Sequence, residues 1–131
     1  MNNSRASLRY AKSLLTLSLE KNILELVKKD VEIISDLFRS SREISNLYLS
    51  PIIPINHKLK ITNKIFEKKI NQNTLNLLNF LVLRKRDNLI ESILIRFNEL
   101  YNSHHNIEES HIYSTSKLDQ KVLDEIGRAH V

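Results

Sequence analysis

Read for its apolar positions, the chain is helical in period almost to residue 105. Over residues 8–21, Leu8, Ala11, Leu14, Leu15, Leu17 and Leu19 recur three and four apart, which predicts an amphipathic helix with Ser4 or Ser7 as its cap. The pattern resumes at Ile23 and runs through Val27, Val31, Ile34, Leu37 and Phe38, and Asn22 supplies the tight turn between. A short third helix is expected over residues 42–49. It ends at Ser50-Pro51, because proline disfavours helical backbone at the residue before it. Both prolines lie in Ser50-Pro51-Ile52-Ile53-Pro54, a stiff connector. Asn56 is expected to cap a fourth helix carrying Leu59, Ile61, Ile65 and Phe66. A fifth spans about residues 73–85, and a sixth about 88–104 with the stripe Leu89, Ile93, Phe97, Leu100. Residues 110–116, Ser-His-Ile-Tyr-Ser-Thr-Ser, carry no helical stripe and read as a weak strand or linker. A further helix starts near Leu118. The fold class is all-α: a compact bundle of about six helices over 1–105, then over 106–125 the start of an incomplete second domain.

Composition narrows the chemistry. Of 131 residues, none is cysteine and the one glycine is Gly127, so thiolate chemistry and Gly-rich phosphate loops have no place in the body of the chain. No apolar run approaches the ~20 residues needed to span a bilayer, and no secretion signal precedes the first helix. The expectation is a soluble or peripheral protein of the cytoplasm. The net charge of +5 admits an acidic partner.

Catalytic candidates are few. His104, His105 and His111 do not share a helix face and have no metal-ligand spacing, so they read as solvated histidines at a helix C-terminus. No enzyme, cofactor or metal is expected. Lys58, Lys60, Lys64, Lys68 and Lys69, with Arg84-Lys85-Arg86, form basic clusters that a nucleic-acid-binding module could use. The interleaved Leu59, Ile61, Ile65 and Phe66 and the scarcity of aromatics favour a solvated lysine face instead.

Two helices are wider in apolar surface than a surface helix needs. In the fifth, Leu75, Leu77, Leu78, Phe80, Leu81, Val82 and Leu83 wrap most of the circumference, and in the first Tyr10, Leu14 and Leu17 adjoin the main stripe. Either both are central in the bundle, or each offers a second face to a partner helix. The pattern leaves both open.

Certain landmarks carry a family resemblance: Arg9-Tyr10-Ala11-Lys12-Ser13-Leu14, Ser50-Pro51, Asn79-Phe80-Leu81-Val82-Leu83 leading to Arg86, then Phe97 and Leu100. In that order and spacing, the chain resembles the delta subunit of bacterial F-type ATP synthases, the counterpart of the oligomycin-sensitivity-conferring protein. The resemblance covers residues 4–124. It implies a non-catalytic stator subunit on the cytoplasmic face of the membrane, tying the peripheral stalk to the catalytic head while protons pass. It also implies that N-terminal helices of the alpha subunits dock between the first and fifth helices. Matched to the family's motifs, Arg9, Tyr10, Ala11 and Leu14 belong to one wall, and Asn79, Phe80, Leu83 and Arg86 to the other wall or its support. Core packing is the competing role for each.

Three departures stand out. Lys85 and Asn106 occupy positions where the family often has glycine, so the turn at Lys85 is expected to be strained or reshaped. A proline before Leu118 is missing. The family's C-terminal domain, which holds the b subunit, is barely begun here, so that contact is expected to be impaired. Residues 126–131, Ile-Gly-Arg-Ala-His-Val, back-translate to ATC GGA AGA GCA CAC GTC, which resembles a sequencing adapter; they are expected to be a non-native tail on a truncated frame.

Overall fold

A computed structural model describes the backbone of residues 3–113 and the side chains of residues 5–107. Six α-helices follow in order: α1 Asn3–Glu20, α2 Leu24–Ser40, α3 Arg42–Leu49, α4 Ile55–Phe66, α5 Gln72–Leu83 and α6 Ile90–Tyr113, with a 3₁₀ turn at Asp87–Leu89 before the last. No strand occurs among the described residues. The first four residues of the expected strand, Ser110 to Tyr113, are the last turn of α6, so the boundary expected at residue 105 falls inside a helix; residues 114–131, with the rest of the second module and the tail, lie outside the described residues. Nor does a turn form at Asn106, where α6 runs on: asparagine can adopt a left-handed conformation but does not require one.

α6 is the spine. It packs along α1 over the longest interface and against α2, while α4 pairs with α5. The close approach of α1 to α6 follows from small side chains, for Ser7, Ala11 and Ser18 share one buried face of α1. Ser7 therefore sits inside the helix, fully buried and with its hydroxyl unpartnered, and is no cap. Val27, Val31, Ile34, Phe66, Ile93 and Phe97 fill the centre.

Helix ends explain the register. Asn22 and Lys85 both adopt left-handed backbone, with φ of 57° and 58°. At each, two bonds close the helix: Ile23 N–H to Ser18 O (2.9 Å) with Asn22 N–H to Leu19 O (3.2 Å), and Arg86 N–H to Leu81 O (2.7 Å) with Lys85 N–H to Val82 O (3.1 Å). These are complete Schellman closures. The turn at Lys85 is thus not reshaped; lysine accepts the strain. α4 starts on Pro54, whose carbonyl receives the His57 and Lys58 amides, so Asn56 lies in the first turn and does not cap. Asn71 caps α5, its Oδ1 accepting the Asn73 amide at 2.9 Å.

Buried polar groups pin the packing. Asp30 of α2 accepts from Asn71 N–H (2.9 Å) and Thr74 Oγ1 (2.7 Å), fixing the start of α5. Lys58 is buried, not solvated: its Nζ donates to Ser50 O and to Asp87 Oδ2, each at 2.6 Å. One ammonium thereby ties the proline connector, α4 and the 3₁₀ turn together. Tyr48 and Thr62 share a buried hydrogen bond of 2.6 Å.

Candidate functional site

α1 and α5 are not a closely packed pair, since their main partners are α6 and α4. They run antiparallel, touching at their ends, and the strip of surface between them is the candidate groove. At one end Lys21 Nζ donates to Asn73 Oδ1 at 3.2 Å. At the other the rings of Tyr10 and Phe80 meet edge to face, with centroids 6.2 Å apart at 62°. Beneath, Leu14 faces Leu77, Leu78 and Leu81 across a small apolar void. Helical spacing puts Ser13 and Leu17 on the α1 wall and Asn76 and Leu83 on the α5 wall.

The wall residues expected from sequence divide in two. Tyr10 is half-buried, and Phe80, Leu83, Arg9 and Arg86 are exposed. Phe80 is 40% exposed and Leu83 57%, although both are large and apolar. Ala11 and Leu14, at 0% and 4%, are core residues; they hold α1 in place and present nothing to a partner. Asn79 is half-buried and exchanges amide hydrogen bonds with Asn63 of α4, both at 3.3 Å, so it sets the α4–α5 register.

Three guanidiniums surround the aromatic pair. Arg9 and Arg86 approach the Tyr10 ring at 5.3 and 5.9 Å, and Arg84 approaches Phe80 at 5.2 Å. The left-handed turn at Lys85 reverses the chain and returns Arg86 toward α1. Arg84 was visible in the sequence only as part of a basic cluster; its i, i+4 relation to Phe80 was the signal for this position.

Elsewhere, the connector lines a cleft of about 580 Å³ with Ile52, Pro54, Lys58 and Asp87. Of its ionic groups, Lys58 and Asp87 satisfy each other, and Lys85 stands at its edge. Among the described residues no His, Asp and Glu group is placed to hold a metal ion, and no helix is long and apolar enough to cross a membrane. His105 stacks on Tyr101, with ring centroids 5.8 Å apart; the side chain of His111 lies outside the described residues.

The family model described as ATP synthase delta (OSCP) subunit matches residues 6–129. The chain belongs to this family. Curated relatives named ATP synthase subunit delta include those of Chlorobaculum tepidum, 30% identical over 126 residues, and Prochlorococcus marinus strain MIT 9301, 36% identical over 116. The alignments cover 96% and 87% of this chain, and 70% and 64% of the relatives' length. Membership makes the chain a structural, non-catalytic component of an ATP synthase, peripheral to the membrane with the complex.

Proposed function

We propose that the bundle of residues 1–105 is the docking unit of a stator subunit, receiving the N-terminal helices of the alpha subunits between α1 and α5. The link holds the stationary stalk to the catalytic head against rotor torque and so supports ATP synthesis. One observation carries this reading: Phe80 and Leu83 stand exposed beside Tyr10, between two helices with little direct packing. An amphipathic helix laid there would cover apolar surface that the bundle leaves in water. Tyr10, Phe80 and Leu83 supply the contact area, while Ala11, Leu14 and Asn79 support the walls from below and behind.

We assign contact with the b subunit to the C-terminal domain, impaired if that domain is truncated, and the complex to the cytoplasmic face of the membrane. Calorimetric titration of the full chain with a peptide copying the alpha N-terminal segment tests the reading. Binding that persists at high salt with a negative heat-capacity change is expected, and its loss in folded Tyr10→Asp and Phe80→Asp variants. Unchanged affinity in both variants would refute the groove. A nucleic-acid module would instead show binding to nucleic acid that weakens steeply with salt.

A further inference from the structure

The groove is not electrically neutral. Arg9, Arg84 and Arg86 converge on its Tyr10–Phe80 end, and among the described residues none of the three has a carboxylate partner. The nearest acid in sequence, Asp87, is buried and held by Lys58 at 2.6 Å. All three guanidiniums are exposed at their residues, yet each is oriented by an aromatic face. A guanidinium beside an aromatic ring carries five N–H donors, more than ring contact uses. Three such guanidiniums beside an apolar strip form a site for carboxylate oxygens. The opposite end carries a single lysine, already bonded to Asn73.

We infer that this end of the groove recognises carboxylate: the docked segment is an amphipathic helix with Glu or Asp flanking its apolar face where it meets Arg9, Arg84 and Arg86. This rests on the groove reading and adds polarity to it. An apolar strip alone would accept a helix in either direction, whereas a charged terminus favours one. The acidic contact also adds a salt-sensitive increment to apolar binding that salt does not remove.

The test uses the full 131-residue chain and designed helical peptides of about twenty residues sharing one Leu/Phe face. One carries a Glu pair on the flank at one end, another carries the pair at the other end, and a third has Gln at both. One Glu placement, and not the other, is expected to bind about tenfold tighter than the Gln peptide at low salt. That advantage fades toward about 0.5 M salt while the Gln peptide's affinity holds. Arg9→Gln/Arg84→Gln/Arg86→Gln is expected to bind the Glu and Gln peptides equally, and an unchanged denaturant midpoint reports that the bundle is intact. Equal binding by all three peptides would overturn the carboxylate site and leave the groove standing. An advantage independent of placement, or surviving the triple substitution, would put acid recognition on other cations and overturn it as well. If none of the peptides binds and the alpha peptide also fails, the groove reading falls with it.

Discussion

Tyr48 holds its proton harder than a tyrosine in water. Burial pushes its hydroxyl from 10.0 up to about 12; the Thr62 hydrogen bond works against that rise and the charge of Asp87 adds to it. The unfolded chain releases the proton near pH 10 and the folded chain near 12. The neutral hydroxyl's contribution is therefore complete below pH 10 and is lost as pH climbs toward 12, on the order of 2 kcal/mol in all. Denaturant titrations from pH 8 to 12 should show this decline in the wild type, and a shallower one in Tyr48→Phe. Parallel declines would contradict it. Lys85 is the second residue with a measurable signature. Its left-handed backbone sits in an otherwise regular closure, so Lys85→Gly is expected to stabilise the chain by about 0.5–1 kcal/mol, read as a higher denaturant midpoint at unchanged slope. Both residues show how far single positions were legible. The departure from glycine announced strain at Lys85, because chirality alone sets that cost. Tyr48 shares a helical apolar stripe with Ile44 and Leu47, which pointed to its burial, but nothing nearby announced Thr62, its partner fourteen positions away.

Among the elements, the connector, α4 and the 3₁₀ turn depend on one ammonium. Removing Lys58 alone strands Asp87 in the interior, and Lys58→Met should cost about 3–5 kcal/mol by chemical denaturation. Lys58→Met with Asp87→Leu should recover most of that loss, since two apolar side chains leave no orphaned charge. A double variant as unstable as the single would show that the pair is not the cause. The turn of α4 already distinguished this lysine. Lys58 shares the face of Ile61, Thr62 and Ile65, while Lys60 and Lys64 share the opposite, exposed one. Counting lysines along the chain hid that difference. Helix order and approximate extent followed from periodicity, because each apolar stripe is long enough to outweigh its ends. Caps followed less well: Ser7 and Asn56 have capping chemistry but fall inside helices whose starts are set by packing on α6 and by Pro54.

At the scale of the molecule, the first and fifth helices are over-apolar for two reasons at once. Leu14, Leu78, Leu81 and Val82 are core, as central helices require; Phe80 and Leu83 are not. Sequence width alone could not apportion these, because burial depends on which neighbour each face meets. With α1 held to α6 and α5 to α4, the surplus apolar surface falls between them, and arginines with no carboxylate partner among the described residues stand at one end. The overall charge of +5 gives an acidic partner a favourable approach. The direct test is to map backbone amide shifts of the full chain as a peptide copying the alpha N-terminal segment is added. The account predicts saturable shifts concentrated between residues 9 and 17 of α1 and residues 73 and 86 of α5 and its closing turn. Shifts centred instead on Lys60, Lys64 and Lys68, or on the connector cleft around Ile52, would contradict it.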